Sequence, residues 1–201
     1  MDLLLIHWPG ATGRPANSSD PACDGPHADP RKCRQNTWRA METAFQAGKA
    51  RAIGVSNFEQ RHMQDVLDLG SLVPAVNQVE FHPFWHEDGL VAFCQQRGIL
   101  LNGYAPYGAP DLFRFTPAMF DEPAIKAVAA SHGVSPAQAV LRWEVQQGLV
   151  VNPRSMDPAH MAENLSIWNF TLTDSEMASL SALKPSAGQK PKICPDPSSI
   201  P

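Results

Sequence analysis

The chain is long enough for one domain with a sizeable core, and its composition excludes several classes of protein. It has 201 residues, of which 43% are hydrophobic and 18% charged, as in ordinary globular proteins. The net charge of −4 argues against nucleic acid and anionic lipid as partners, and no segment approaches the ~20 apolar residues of a membrane span.

The beginning of the chain and the cysteines indicate a cytoplasmic protein. The apolar run over residues 3–6 follows Asp2 and has no basic leader, so it is not typical of a signal peptide. Four cysteines are sparse for this length, and reduced thiols are therefore expected. Cys23 and Cys33 could instead form a disulfide, or a zinc site with His27, but unpaired thiols are the favoured interpretation.

The first predicted element is a strand, and a long polar loop follows it. The apolar run ends at His7, and residues 10–36 are rich in Gly, Pro, Ser, Asp and Asn. Such a composition predicts a surface loop. Apolar residues then recur at helical spacing over residues 38–45, with Thr37 as the candidate N-cap.

Strands and helices alternate through the rest of the chain. Four further strands are predicted in "AIGVSNF", "VPAVNQVEF", "ILLNGYAPYG" and "LVVNPRS". Helical patterns follow them in "EQRHMQDVLDLG", "EDGLVAFCQQRG", "EPAIKAVAASHG", "SPAQAVLRWEVQQG", "DPAHMAENLSIW" and "TDSEMASLSAL". This alternation predicts a parallel sheet with crossover helices in a domain of residues 1–183. Residues 184–201, which are rich in proline, are expected to form an irregular tail.

Two parallel architectures fit this alternation, a (β/α) barrel and an open doubly wound sheet. No GxGxxG follows the first strand, which weakens the case for a dinucleotide-binding open sheet. In both architectures ligands bind beyond the carboxyl ends of the strands. The residues at the strand ends are therefore the candidate functional residues.

Polar and aromatic side chains stand at these strand ends. They are His7, Trp8, Ser56, Asn57, Gln78, Glu80, Tyr104, Arg154 and Ser155. Amide and hydroxyl groups can pair with a carboxamide, an aromatic ring can stack on a flat ring, and an arginine can hold a phosphate. This inventory suits a nicotinamide nucleotide bound without a glycine-rich loop.

Each of these residues also has a purely structural interpretation. His7 and Tyr104 could lie in the core, and Ser56 with Asn57 could cap the helix that follows them. Arg154 could be a surface charge, although its place between a strand and a capped helix favours an anion site.

A metal site is not expected. His82, His86 and Glu87 have the spacing of ligands on one helix face, but Pro83 would break that helix.

Five segments resemble successive motifs of the aldo-keto reductase family. They are "DLLLIHWP", "AIGVSNF", "VNQVEFHP", "GYAPYG" and "VVNPRS" followed by "PAHMAENL". Each is weak alone, but five in the family's order, one per strand, are specific. The resemblance implies part of a (β/α)₈ barrel of about five parallel strands and NADPH as cofactor. It also implies a small-molecule carbonyl substrate, aldehyde or ketone, and a monomer, although this chain could associate.

The resemblance also assigns roles to individual residues. His7 matches the catalytic histidine, and Trp8 and Phe113 belong to the substrate-binding segments. The expected cofactor-binding residues are Ser56, Asn57 and Gln78 at the carboxamide, Tyr104 on the nicotinamide face, Arg154, Ser155 and His160 at the 2′-phosphate, and Glu163 and Asn164 near the adenine. Apolar and aromatic residues in the specificity loops favour an apolar or aromatic carbonyl, with a sugar-derived one as the alternative.

Four positions depart from the family's pattern. His160 stands where the second basic contact is usually arginine, so NADPH preference is expected to be weaker or to depend on pH. Asn152 and Arg154 stand where "IPK" is usual. Ala105 stands where a serine usually follows the stacking tyrosine.

The family's proton donor has no match in the sequence. That donor is a tyrosine on the family's second strand, whereas Tyr104 and Tyr107 match the stacking and pyrophosphate positions. The first strand here matches the family's fourth. We therefore expect a truncated reductase, a fragment or a remnant that needs a partner, with little or no activity alone. The alternative is a non-catalytic nucleotide-binding fragment or pseudoenzyme.

Overall fold

The computed structural model describes residues 1–10, 22–23, 28–108, 119–184 and 194–201. Within this part, the strands are β1 (Leu3–Ile6), β2 (Ala52–Ser56), β3 (Val76–Glu80), β4 (Leu100–Tyr104) and β5 (Val150–Asn152). The helices are α1 (Pro30–Gln46), α2 (Gln60–Leu67), α3 (Asp88–Gln95), α4 (Pro123–His132), α5 (Pro136–Gln146), α6 (Pro158–Leu165) and α7 (Asp174–Ser181). The predicted alternation of strands and helices is confirmed.

The first helix begins earlier than the sequence pattern predicted. The Asp29 carboxylate accepts a hydrogen bond from the Lys32 N–H at 3.0 Å, and Pro30 occupies the first turn. An N-cap acid followed by proline is a helix-start signal that the polar composition of this segment concealed. The prediction of a loop over residues 10–36 is therefore wrong from residue 30 onward. Thr37 lies inside α1, where its hydroxyl donates to the Cys33 carbonyl at 2.9 Å.

The expectation of unpaired thiols in this region is also wrong. Cys23 and Cys33 form a disulfide, with their Cα atoms 4.8 Å apart. The cause is the same helix start, because Cys33 lies in α1 and the Asp29 N–H donates to the Ala22 carbonyl at 2.9 Å. That bond holds Ala22, the neighbour of Cys23, close to the start of α1. His27, the third residue of the alternative zinc site, lies outside the described residues.

The chain divides into two compact units. Unit 1 comprises residues 1–79, 88–101 and 196–201. In unit 1, β1 pairs in parallel with β2 and β2 with β3, and the Leu100 N–H of β4 donates to the Ala75 carbonyl at 3.0 Å. Its fully buried side chains include Trp38 and Met63 from the helices and Val55 from β2.

Unit 2 comprises residues 80–87 and 102–195. Its sheet pairs β4 with β5 in parallel, with Tyr104 opposite Asn152. The core stacks the Phe81 and Trp143 rings at 5.4 Å between centroids. Helix α5 begins at the predicted cap, where the Ser135 hydroxyl accepts from the Gln138 N–H at 3.2 Å.

The end of the chain is more ordered than expected at one point. Residues Pro197–Ser199 form a 3₁₀ turn, so the expected irregular tail is wrong there. In unit 1, the Arg34 guanidinium donates to the Pro201 carbonyl at 2.7 Å, and His62 Nε2 donates to the Ile200 carbonyl at 3.0 Å. The boundary at residue 183 stays a prediction. None of the helices in the described part of the chain is long and apolar enough to cross a bilayer.

Candidate functional site

Asn57 links the strand ends of unit 1. Its side-chain Nδ2 donates to the His7 carbonyl at 3.0 Å and to the Ser56 hydroxyl oxygen at 3.1 Å. Its backbone N–H donates to the Gln78 carbonyl at 2.8 Å, and the Ser56 hydroxyl donates to the same carbonyl at 2.8 Å. The structure therefore brings four of the predicted site residues together at the carboxyl ends of three strands.

The backbone of Asn57 explains why an asparagine suits this position. Its φ is 61°, in the left-handed region that asparagine tolerates better than most residues. The alternative that Ser56 and Asn57 cap α2 is wrong, because the N-cap is Glu59. There the Glu59 N–H donates to His62 Nδ1 at 3.2 Å, which completes a capping box. Ser56 and Asn57 are thus buried linkers of strand ends.

His7 and Trp8 follow β1 directly. The His7 side chain is exposed, which rules out the alternative of a core histidine. Its ring lies 5.9 Å from the Trp8 ring, centroid to centroid. The backbone of His7 is anchored through Asn57, whereas its imidazole is open to solvent. Phe113, the other residue expected at a substrate pocket, lies outside the described residues.

Tyr104 ends β4 in unit 2 beside a polar cluster. Burial is the largest cause that raises the pKa of its phenol, followed by a hydrogen bond with Cys194 and the charge of Glu80. The Glu80 carboxylate itself accepts from the Cys194 N–H at 3.0 Å and lies 3.2 Å from His82 Nε2. Tyr104 is half-buried, so one part of its side chain remains accessible.

The histidines considered for a metal site make other contacts. His82 Nε2 pairs with Glu80, and His86 Nε2 donates to the Ser181 carbonyl at 3.1 Å. Among the described residues, no three His, Cys, Asp or Glu side chains gather as metal ligands.

A cavity of about 640 Å³ lies in unit 2. Its lining includes all five residues predicted for the adenosine end of the cofactor: Arg154, Ser155, His160, Glu163 and Asn164. Asn152 and Ala105, the other two positions that depart from the family's pattern, also line it. Candidate residues from separate segments of the sequence therefore line one cavity.

Two elements supply the polar wall of this cavity. Arg154 and Ser155 follow β5, and α6 presents His160, Glu163 and Asn164 at the i, i+3, i+4 spacing of one helix face. Helix α6 begins at Asp157, whose carboxylate accepts from the Ala159 N–H at 2.8 Å. Arg154 and His160 are exposed, so both basic side chains are accessible to a ligand.

An aromatic wall of the cavity was not predicted. The Tyr107 hydroxyl donates to Asn164 Oδ1 at 2.7 Å, and the Tyr107 ring meets the Phe120 ring edge to face at 5.2 Å. Burial raises the pKa of the Tyr107 phenol, and the charges of Glu144 and Glu163 raise it further. No local signal in the sequence around Phe120 connects it with the cavity.

Ala105 lines the same cavity in an unusual backbone conformation. Its φ of 52° is left-handed, which costs an L-residue roughly 1–2 kcal/mol. The Gly108 N–H donates to the Ala105 carbonyl at 2.8 Å, and this tight turn places Tyr107 in the cavity wall.

Glu144, a buried acid of unit 2, was not among the residues predicted from the sequence. The Glu144 side chain is fully buried, and neither of its carboxylate oxygens has a hydrogen-bond partner among the residues that the structure describes. Burial raises the pKa of this carboxyl well above 4.5. It packs on Gly103, where an added Cβ would lie 2.5 Å from Glu144 Oε2. Its helical sequence context resembles any amphipathic surface position and carries no signal of burial.

Comparison with known proteins identifies relatives of the whole chain. The sequence model described as "Aldo/keto reductase family" matches residues 1–185. "Aldo-keto reductase family 1 member A1" of Gallus gallus is 40% identical over 186 residues, which are 91% of this chain and 57% of that relative. The chain thus spans little more than half the length of the curated relatives it matches.

Solved structures agree with these relatives. A mutant of Gox0644, titled as a complex with NADPH, is 30% identical, with a TM-score of 0.77 over 100% of this chain and 64% of that chain. The Bombyx mori aldo-keto reductase AKR2E4, titled as a complex with NADP, is 32% identical, with a TM-score of 0.75 over 90% of this chain and 56% of its own. The expected fold class, about five parallel strands with helices as part of a (β/α)₈ barrel, is confirmed.

The sequence resemblance, the match over residues 1–185 and the likeness to solved reductases lead to the same family. The chain belongs to the aldo/keto reductase family.

Proposed function

We propose that residues 1–201 carry the cofactor-binding part of an NADPH-dependent carbonyl reductase. One observation supports this most strongly: the cavity in unit 2 gathers the five side chains matched to the adenosine 2′-phosphate end of NADPH. Two of the similar solved structures are titled as complexes with NADPH or NADP.

The residues present in the cavity fit a phosphorylated nucleoside. Arg154 offers a planar set of donors that matches phosphate geometry, and it is exposed at the cavity wall. The Ser155 hydroxyl lies beside it and already accepts from the Asp157 N–H at 3.1 Å, which holds it at the start of α6. His160 adds positive charge when protonated. These groups would hold the 2′-phosphate.

The base-binding part of the cavity is less charged. Asn164 provides an amide, which pairs well with the donor and acceptor edge of adenine. Glu163 provides an acceptor next to it on the same face of α6. The volume of about 640 Å³ lies in the range of pockets that enclose small ligands and parts of cofactors.

Unit 1 carries the residues proposed for the reacting end. Ser56, Asn57 and Gln78 would hold the carboxamide. Hydrogen bonds between Ser56 and Asn57 and to the Gln78 backbone carbonyl hold the first two residues in place before any ligand binds. Tyr104 belongs to unit 2 and is proposed separately as the ring that stacks on the nicotinamide. The chemistry that NADPH supplies when bound is hydride donation to an aldehyde or ketone carbon.

His7 is the proposed catalytic residue of this chain. Its exposed imidazole can donate a hydrogen bond to a carbonyl oxygen, which stabilises the negative charge that develops there. Trp8 and Phe113 are proposed for the substrate pocket, with a small-molecule carbonyl as substrate. A monomer and a cytoplasmic location also remain proposals. The Cys23–Cys33 disulfide is of a kind that is rare in the cytoplasm and so argues against that location.

A reductase made of these residues alone would lack a matched proton donor. Neither Tyr104 nor Tyr107, the two tyrosines of the sequence, matches the family's acid. The pKa of each phenol is raised, which makes both poorer acids. This observation favours a second candidate function, a nucleotide-binding chain without reductase activity. We expect little or no turnover from residues 1–201 by themselves.

Calorimetric titration of the folded chain with NADPH and NADH tests the proposed cofactor site. Arg154→Ala should weaken NADPH binding about 10-fold to 100-fold, because it removes a charge-assisted contact to phosphate. NADH binding should change little, since NADH lacks the 2′-phosphate. Arg39→Ala removes the same charge from the exposed surface of α1 and is the matched control. Equal losses for both cofactors, or no saturable NADPH binding, would contradict the proposal.

A turnover assay separates the two candidate functions. The chain is mixed with NADPH and a reactive aldehyde, and the absorbance of the reduced cofactor is followed. Turnover that His7→Ala abolishes supports the reductase. Saturable NADPH binding without turnover supports the nucleotide-binding chain.

A further inference from the structure

Tyr107 and Asn164 connect two walls of the cavity in unit 2. The Tyr107 hydroxyl donates to Asn164 Oδ1 at 2.7 Å, although the residues are 57 positions apart in the chain. One comes from the turn after β4 and the other from α6. Both line the cavity, and the bond uses one of the two lone pairs of an acceptor that a ligand in the cavity would meet.

The surroundings keep Tyr107 in this position as a donor. Its ring packs edge to face on Phe120 at 5.2 Å, and the side chain is half-buried. Burial and the nearby Glu144 and Glu163 raise the pKa of the phenol, so it keeps its proton at neutral pH. A neutral hydroxyl next to an amide oxygen gives a stable, directional hydrogen bond.

Asn164 Oδ1 is also the group that would accept from a 6-aminopurine. An asparagine amide recognises adenine through its oxygen, which accepts from the exocyclic amine, and its nitrogen, which donates to the ring. The oxygen lies 2.7 Å from the Tyr107 hydroxyl, at the distance of a formed hydrogen bond. An amide oxygen has two lone pairs, and the Tyr107 hydroxyl uses one of them, so the amine of the base must either share this oxygen with the hydroxyl or displace it.

We propose that Tyr107 is a latch on the nucleotide cavity, which holds Asn164 Oδ1 in the free protein and releases it when a 6-aminopurine binds. This inference rests on the proposed function of the cavity and adds a specificity-determining residue to it. The latch lowers the affinity for adenine nucleotides, because their binding breaks a hydrogen bond within the protein. A 6-oxopurine has no exocyclic amine and leaves the latch closed.

Titration calorimetry with adenosine 2′,5′-bisphosphate and inosine 2′,5′-bisphosphate tests the latch. Tyr107→Phe removes the hydroxyl and keeps the ring on Phe120. It should bind the adenosine compound about threefold to tenfold more tightly than the unmodified chain, the fold-change of one net hydrogen bond. Its affinity for the inosine compound should stay within about twofold of the unmodified chain.

Asn164, the hydrogen-bond partner of Tyr107, provides the matched control. In a chain with Asn164→Leu, Tyr107→Phe should no longer change the affinity for the adenosine compound, because the acceptor is gone. Near-ultraviolet difference spectra give a second measurement, since release of the phenol changes tyrosine absorption. The adenosine compound should produce this signal in the unmodified chain and a smaller one in Tyr107→Phe.

The outcomes separate the latch from the proposed function. Saturable binding with unchanged or weaker affinity in Tyr107→Phe overturns the latch alone, as does equal tightening for both compounds. No saturable binding of either compound to the unmodified chain or its variants overturns the proposed function, and the latch with it. Thermal unfolding of each variant verifies that it is folded.

Discussion

The two units treat the polar residues at their strand ends differently. In unit 1, Asn57 binds the His7 carbonyl and the Ser56 hydroxyl, and both Asn57 and Ser56 donate to the Gln78 carbonyl. In unit 2, Arg154 and the α6 side chains line an open cavity. Unit 1 uses its polar groups to fix geometry, whereas unit 2 leaves charged groups accessible for a ligand. The fixed arrangement of strand ends and the accessible charged groups thus lie in different parts of the chain.

The same difference appears at one glycine in each unit. A Cβ on Gly54 in β2 would lie 2.5 Å from the Val76 carbonyl oxygen, which is backbone of the neighbouring strand. A Cβ on Gly103 in β4 would lie 2.5 Å from the Glu144 carboxylate, which is a side chain. Backbone cannot move away without loss of strand pairing, but a side chain can. We therefore expect substitution of a strand glycine to destabilise unit 1 more than unit 2.

The largest expected effect is that of Gly54→Ala in unit 1. The added methyl would overlap the Val76 carbonyl and lie 2.9 Å from Leu5 Cδ2, so β2 must move from both neighbours. We expect a loss of about 3 kcal/mol or more in the free energy of unfolding, measured in urea. Gly89→Ala in α3 is the control, since its nearest contact is a flexible Gln60 side chain. A loss below about 1 kcal/mol at Gly54 would show that this close approach does not constrain unit 1.

Asn57→Ala should have the next largest effect. It removes the two side-chain hydrogen bonds and leaves an alanine at a φ of 61°. We expect a loss of about 2–4 kcal/mol in urea unfolding. Asn57→Gly removes the same bonds without the strain of a left-handed L-residue, so its loss should be smaller. Equal losses in the two variants would mean that the backbone conformation contributes nothing.

Glu144→Leu should stabilise unit 2. The variant replaces a buried carboxyl, which has no hydrogen-bond partner in the described part of the chain, by an apolar side chain, for an expected gain of about 1–3 kcal/mol at pH 5. The pKa of Glu144 is raised in the folded state, so folded protein holds a proton that unfolded protein releases above about 4.5. Its contribution to stability therefore falls as the pH rises, and the gain should be larger at pH 8.

Glu144→Gln is the matched control for that prediction. It removes the titration but keeps a buried polar group without a hydrogen-bond partner among the described residues, so its gain should be smaller than that of Glu144→Leu at both pH values. The gain should grow between pH 5 and pH 8 by the same amount as for Leu, because that growth comes from the titration of Glu144 in the unmodified chain. Urea unfolding at both pH values measures this. A gain for Leu that does not increase with pH would mean that Glu144 is ionised in the folded chain.

The smallest expected effect is at the surface of unit 2, where a second acid has the opposite pH dependence. Glu176 accepts from the Thr173 N–H at 2.8 Å and the Ser131 hydroxyl at 2.8 Å, and lies 3.0 Å from His132 Nε2. The Thr173 bond, followed by His132, lowers the pKa of Glu176 to about 2. Its contribution is present above 4.5 and is lost as the pH falls toward about 2.

Glu176→Gln should therefore cost about 1 kcal/mol at pH 7, a modest value because the side chain is partly exposed. The difference from the unmodified chain should vanish near pH 2. Asp174→Asn removes a charge from the same helix turn and should cost only about 0.3 kcal/mol. Thermal unfolding over this pH range measures both. A Glu176→Gln loss that persists at pH 2 would contradict the assignment of the effect to the carboxylate.

Local patterns predicted most of the secondary structure and missed what depends on neighbours. The start of α5 was predicted because Ser135 and Pro136 form a cap within consecutive residues. The start of α1 was missed because the polar loop composition outweighed the signal of Asp29 and Pro30. The Cys23–Cys33 disulfide was missed for the same reason, since it depends on where that helix begins.

The sequence by itself determined the α/β alternation, the family and the residues at the strand ends. All three can be recognised from short motifs of consecutive residues and from the order of these motifs along the chain. Only the tertiary structure decided which of these residues meet. The Tyr107–Asn164 hydrogen bond, the burial of Glu144 against Gly103 and the docking of residues 200–201 on His62 and Arg34 join segments far apart in the chain. Such contacts arise from packing of complete elements, and a single sequence carries no local pattern for them.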